Sequence, residues 1–211
     1  MKALVVRGGW DGHSPVEATD AFLPFLRSSG FDVDVSDTLE AYDAGLRSYD
    51  LVLQCWSDGE LTDEQFGHLE AAVRAGTGLA GWHGGLVDAF RRSRGYVRMV
   101  GGQFVAHPGD FVEHRVDVVS THPVVAGLSG FTVRTEQYWV LTDGLNDVHA
   151  TTTFQPEDPW HAPLTVPAVW TRRWGAGRVF ACTLGHFPAD LEVPQVRTMV
   201  ERGLLWAAGR G

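Results

Sequence analysis

Residues 78–85 read Gly-Leu-Ala-Gly-Trp-His-Gly-Gly, a short apolar run that enters a glycine-flanked turn with one histidine at its centre. Small residues on both sides of His83 let the backbone bend sharply and present a single side chain at the end of a strand. In nucleophile elbows of the form G-x-[nucleophile]-x-G the central residue is Ser or Cys. Here it is an imidazole, which suits a general acid/base or a metal ligand and not an acyl carrier. The plainer alternative is a glycine-rich turn with an incidental histidine.

Upstream of this stretch, strand-like and helix-like segments alternate. Lys2 to Arg7 reads as a buried strand, and Ser14-Pro15-Val16-Glu17 reads as a capping box opening a helix whose stripe is Ala18, Phe22, Phe25 and Leu26. Phe31 to Val35 alternates strictly, which predicts a strand near a sheet edge. Tyr49 to Trp56 is a buried strand, and Thr62-Asp63-Glu64-Gln65 is a second capping box. This rhythm predicts a parallel sheet covered by helices on both faces. After Gly85 it changes: a helix is expected over 90–100, then short strands and turns, a hairpin around Trp174-Gly175-Ala176-Gly177, and a closing helix from Pro194. One domain spanning 1–211 with a long insertion follows.

Composition narrows the function. The chain has 211 residues, 44% of them hydrophobic, and a formal net charge of -9. That charge argues against nucleic-acid or anionic-membrane partners. Arg91, Arg92 and Arg94 form the one basic cluster and read as a solvated helix face. No apolar run approaches the roughly 20 residues of a membrane span. Met1 to Val6 enters a strand without the charged and apolar regions of a signal peptide, so a cytoplasmic location is expected. Cys55 and Cys182 are too few for a disulfide framework or a CxxC zinc site, and each reads as a buried thiol.

In open α/β sheets ligands bind beyond the carboxyl ends of the strands. His13 follows the first strand, Trp56-Ser57-Asp58 the third and His83 the fourth. His186 follows the last strand, Glu136 and Tyr138 lie in the insertion, and His107 sits in a turn able to fold over them. Each histidine has a structural alternative: His13 as a helix cap, His107 and His122 as turn residues before proline, and His68, His149 and His161 at the surface. Trp10, Trp56 and Trp82 lie at strand ends, where a flat ring can pack on a ligand such as a sugar or simply fill the core. Metal chemistry requires about three ligands from His, Asp and Glu. The set offers His83, His107 and His186 for a divalent transition metal such as zinc, without diagnostic local spacing. Metal-free acid/base chemistry, with imidazoles paired to Glu136 or Asp190, is the other option. No nucleotide is expected.

Several motifs in order resemble the trehalose-utilisation (ThuA-like) family. They are Gly8 to His13, Gly81-Trp82-His83-Gly84-Gly85, Gly101-Gly102-Gln103-Phe104 with His107-Pro108, and His122-Pro123 with Gly127-Leu128. Glu136-Gln137-Tyr138, Pro167 to Trp170, and Gly177-Arg178-Val179-Phe180 with Leu184-Gly185-His186 complete the set. The resemblance implies a class I glutamine amidotransferase-like fold, that is, a flavodoxin-like doubly wound parallel sheet, here with a β-rich insertion after the fourth strand. It places His83 where the amidotransferases have their nucleophilic Cys, and His186 at the late histidine of their triad. Covalent glutamine hydrolysis is then not expected. Glu136 and Tyr138 match the family's E-x-Y. The segment 9–13 is looser than the family pattern, so His13 is carried only as a substrate-binding candidate beside Trp10, Trp56 and Trp82.

The resulting expectation is an enzyme, a hydrolase, lyase or isomerase acting on a small-molecule sugar or keto-sugar, with His83, His186, Glu136 and Tyr138 as catalytic candidates. A non-catalytic sugar-binding or regulatory module with a relict site is the alternative. A third reading, an amidotransferase using Cys55, puts the nucleophile on the wrong strand. A homo-oligomer is left open.

Overall fold

The structure, a computed structural model, describes residues 1–43 and 45–210. Strand β1 (Lys2–Gly9) pairs in parallel with β2 (Asp32–Ser36) on one side and β3 (Leu51–Ser57) on the other. Strand β3 pairs in parallel with β4 (Gly78–Trp82). Between β4 and the last strand the chain forms β5 (Gly102–Ala106), β6 (Phe111–Val118), β7 (Phe131–Glu136), β8 (Trp139–Thr142), β9 (Asp147–Phe154) and β10 (Leu164–Trp174). Strand β11 (Gly177–Cys182) then pairs in parallel with β4. The large sheet runs β2-β1-β3-β4-β11-β10-β9-β6-β7, parallel as far as β11 and antiparallel beyond it, while β5 and β8 make a separate ribbon.

Period-two alternation on the parallel strands supplies two cores. Ala3, Val5, Leu53, Ala80 and Phe180 face the helices α1 (Pro15–Asp20), α2 (Leu23–Ser28) and α6 (Pro194–Ala207). Leu4, Val6, Val52, Leu79 and Val179 face α3 (Asp63–Ala75), the short α4 (Gly84–Val87) and α5 (Arg94–Val100). The predicted layers and the edge position of β2 are therefore present. So is the second capping box, in which Thr62 Oγ1 accepts from the Gln65 amide and Gln65 Oε1 accepts from the Thr62 amide, both at 3.1 Å.

Three local expectations fail for identifiable reasons. The Ser14 box does not form: Ser14 is left-handed, φ 45°, and makes no side-chain cap. A tight turn over Asp11–His13 uses that bend to turn His13 inward. The first helix is also broken in two, because Pro24 in the first turn of α2 has no N–H to continue the ladder. The helix expected over 90–100 begins only at Arg94. Phe90 is left-handed, φ 49°, and its amide donates to the Asp58 carbonyl at 3.1 Å.

His149, expected at the surface, lies on β9 and is 3% exposed. Its Nε2 meets Thr171 Oγ1 at 2.8 Å, its Nδ1 meets Ser120 Oγ at 3.0 Å, and its ring stacks on His122 with centroids 4.1 Å apart. Burial, with His122 adding to it, lowers the His149 pKa from 6.5 to about 4. The unfolded chain therefore takes up this proton before the folded chain does. The resulting stability is complete above pH 6.5 and is lost as pH falls towards 4. In urea titrations across that range, His149→Gln should show a shallower pH dependence than the wild type; an identical slope would remove His149 as a contributor.

Candidate functional site

The turn after β4 has the backbone of a nucleophile elbow. His83 sits at φ 47° and ψ -144°, a conformation L-residues avoid, held by neighbours on both sides. Its amide donates to the Cys182 carbonyl at 2.7 Å, and its carbonyl accepts from Leu86 and Val87. Gly84 and Gly85 are required by close approach: a Cβ on Gly84 would collide with the His13 imidazole, and one on Gly85 would lie 2.8 Å from the Cys55 Cα. The Gln54 amide donates to the Gly85 carbonyl at 3.0 Å, and Tyr96 O–H donates to the Leu86 carbonyl at 2.9 Å. Gln54 and Tyr96, which sequence reading passed over, thus pin the turn from below.

Four side chains from four chain segments converge above the turn. His83 Nε2 lies 3.0 Å from Glu136 Oε2 and 3.3 Å from His186 Nδ1, and Glu136 Oε2 lies 3.1 Å from His186 Nδ1. One atom each from His13, His83, Glu136 and His186 fall within 4.8 Å of one another, and all four residues are buried. His83 Nδ1–H donates to the Thr183 carbonyl at 2.7 Å, which leaves Nε2 as a lone pair aimed into the cluster. His13 Nδ1 is held by Ser57 Oγ at 2.5 Å. Burial, reinforced by His83 and His186, lowers the His13 pKa from 6.5 to about 3, and burial likewise holds His83 neutral. Burial disfavours the Glu136 carboxylate, but the His186 imidazole bonded to it leads the effects that outweigh that and keep it ionised. Lone pairs thus converge with too few protons to separate them. The edges of 3.0–3.3 Å are close to the roughly 3.3 Å between ligands of a tetrahedral metal. The cluster could hold a metal ion.

The site residues read from the sequence are partly reunited. His83, His186 and Glu136 meet directly, and Tyr138 stacks on His83 with centroids 3.9 Å apart. Burial drives the Tyr138 phenol far above its ordinary pKa, so it stays protonated. His13, not His107, joins the buried cluster that could hold a metal. His107 stands outside it, 34% exposed, with Nε2 3.7 Å from Glu136 Oε1, and stacks on Phe104. A cavity of about 330 Å³ opens beside the cluster, lined by Trp10, Asp58, Asp88, Arg91 and His107 among others. Trp10 is 57% exposed at its wall. Trp56 covers Gly8 and Gly59, and Trp82 packs on Phe22 in the core; neither lines that cavity. Asp88, bonded to Arg91 at 2.5 and 2.6 Å, was not singled out by sequence, and Ser57 was named only as part of the segment after the third strand, without a partner. For Ser57 the available signal was its place at the carboxyl end of β3.

Cys55 is 2% exposed, and burial pushes its thiol up to about 12, so it has none of the thiolate character a nucleophile needs. The amidotransferase reading through Cys55 is not supported.

These features define a class: an α/β protein with helices on both faces of its sheet and a buried three-histidine, one-glutamate cluster beyond the strand ends. The model of the ThuA family, described as trehalose utilisation, matches residues 2–207, and the chain belongs to that family. A ThuA-like protein from Parabacteroides merdae superposes with a TM-score of 0.79 at 20% identity, over 100% of this chain and 91% of its own. One from Bacteroides uniformis gives 0.79 at 18% identity, over 98% and 91%. A cold-adapted β-galactosidase from Rahnella sp. R3 gives 0.64 at 15% identity, over 99% of this chain and 31% of its own. No curated protein matches the sequence. Among the described residues no helix is long and apolar enough to cross a membrane.

Both thiols are buried, and burial pushes each to about 12. Ellman's reagent at pH 8 should therefore leave Cys55 and Cys182 untouched in the native protein and modify both after unfolding. Rapid labelling of Cys55 in the native state would contradict this placement.

Proposed function

We propose that this protein is an enzyme acting on a sugar or keto-sugar, with a divalent transition metal such as zinc held by His13, His83, Glu136 and His186. The observation that carries the reading is the triangle of His83 Nε2, His186 Nδ1 and Glu136 Oε2, with its tautomer set by Thr183. When bound, such a metal supplies Lewis-acid polarisation of a carbonyl or hydroxyl oxygen. The chain's own groups supply the rest. Thr183 fixes the orientation of His83, and Ser57 does the same for His13. His107, half-buried at the cavity beside Glu136 Oε1, is placed to carry a proton between site and solvent. The protonated Tyr138 hydroxyl can donate but not accept charge. Trp10 offers an exposed ring on which the apolar face of a sugar can lie.

The carbohydrate assignment is supported by the family's description as trehalose utilisation. The order of the parallel strands, with His83 at a former nucleophile's position, supports descent from a flavodoxin-like amidotransferase fold, with β5 to β10 as its insertion, in one domain. A binding module without turnover predicts ligand-induced stabilisation and no product from any sugar.

Protein purified without a nickel column should carry close to one equivalent of transition metal. Chelation should lower its thermal midpoint, because a ligand that binds only the native state stabilises it by mass action. His83→Ala and Glu136→Gln should abolish metal retention, and Ser57→Ala should weaken it about 10- to 100-fold. Metal-free protein whose midpoint ignores both chelator and added zinc would end the metal reading. On a panel of keto-glycosides, turnover by His83→Ala equal to wild type would end the catalytic one.

A further inference from the structure

Arg91 and Arg94, two of the three arginines that the sequence assigns to a solvated face, are exposed and also border a cavity, together with Arg98. Arg91, Arg94 and Arg98 line a second cavity of about 330 Å³, between α5 and the β5–β8 ribbon, with Gln103 and Thr142 on the opposite side. Arg91 lines both this cavity and the one beside the His/Glu cluster, so the two are neighbours across a single side chain.

The charge balance is unlike that of the chain, whose net charge is -9. The cavity's one carboxylate, Asp143, is already engaged: its Oδ2 accepts from Arg172 Nη1 and Nη2 at 3.2 and 3.3 Å. The Arg172 side chain is 1% exposed. Arg172 Nε and Asn146 Oδ1 are both buried without a partner among the described residues, and both side chains press against Gly101 of the cavity wall. Arg98 reaches Glu70 only at 4.0 Å, and Arg94 forms no ion pair among the described residues. Arg91 commits Nε and Nη2 to Asp88, which leaves Nη1. Three guanidinium groups thus line a cavity whose one carboxylate is held by a fourth, buried Arg172, and the planar donor forks of the three match the geometry of a phosphate or carboxylate.

We propose that this cavity binds an oxyanion, and that the oxyanion is a charged substituent of the carbohydrate whose ring occupies the adjoining cavity. The second part rests on the carbohydrate reading above; the first does not. Arg91 is the shared wall, with Nε and Nη2 tied to Asp88 of the sugar cavity and Nη1 left over. The two cavities together fall within the usual size of a small-molecule site.

Calorimetry with inorganic phosphate, and with a panel of hexose phosphates, hexuronates and their neutral parents, tests both parts. At least one anionic sugar should bind ten times or more tighter than its neutral parent and than inorganic phosphate. Arg94→Gln/Arg98→Gln should lower that affinity by about tenfold for each guanidinium removed. Both arginines are exposed, so the variant's thermal midpoint and metal content should match the wild type. Equal binding of all anions by wild type and double variant, or no binding of any anion, would overturn the site. Arginine-dependent binding of inorganic phosphate as tight as that of every anionic sugar would overturn the link to substrate. Arginine-dependent anion binding in protein that carries no metal would support the subsite while the metal reading fell.

Discussion

The site depends on one constrained turn. His83 occupies a left-handed backbone that its type disfavours, and it stays there because its amide is bonded to Cys182 and its ring to the Thr183 carbonyl. The partners are the last residue of β11 and the one after it, so the elbow exists only where β4 and β11 lie side by side. The same two contacts decide the chemistry, since Nδ1–H is consumed by Thr183 and Nε2 is left facing Glu136 and His186. Backbone strain of order 1–3 kcal/mol at such a residue persists only where surrounding packing holds it.

Around this turn the fold assembles groups that the chain keeps far apart. His13 comes from the loop after β1, Ser57 from β3, and His186 from the loop after β11, all at carboxyl ends of parallel strands. Glu136 comes from β7, the strand at the opposite edge of the sheet, five places along from β4. Its carboxylate nonetheless touches His83, so the antiparallel half of the sheet must curve back over the parallel half. A buried carboxylate and three buried imidazoles would oppose folding if they were left without compensation. Here their mutual bonds and the Ser57 and Thr183 contacts offset part of that cost, and a cation would offset more.

Two neighbouring cavities of opposite character lie against this cluster. One carries Asp58, Asp88 and Glu136, the other Arg94 and Arg98, and Arg91 separates them. Asp88 is mostly buried, so burial raises its pKa, and the paired Arg91 fork works in the opposite direction. That pair fixes the position of the shared wall. The left-handed residues Asp58 and Phe90 link the loops after β3 and α4 through reciprocal backbone bonds, Asp58 to Asp88 and Phe90 to Asp58.

The sequence by itself determined the layering. Period-two apolar strands alternating with capped amphipathic helices bury both faces of a sheet, and Gly-Trp-His-Gly-Gly marks one strand end whatever surrounds it. It also marked His186, Glu136 and Tyr138, through motif order. Local pattern could not show that His13, not His107, completes the buried cluster. That choice turns on the left-handed Ser14 and on Ser57, whose hydroxyl meets His13 only in three dimensions. His149 read as surface because its neighbours are polar, yet its partners Thr171, Ser120 and His122 come from other segments. The arginine cluster read as solvated and is exposed, but the cavity that Arg91 and Arg94 share with the β5–β8 ribbon is not visible in a one-dimensional pattern. Hydrophobic periodicity is a property of each segment and is legible in the chain; convergence of polar groups depends on how the sheet curves, and only the tertiary structure sets that.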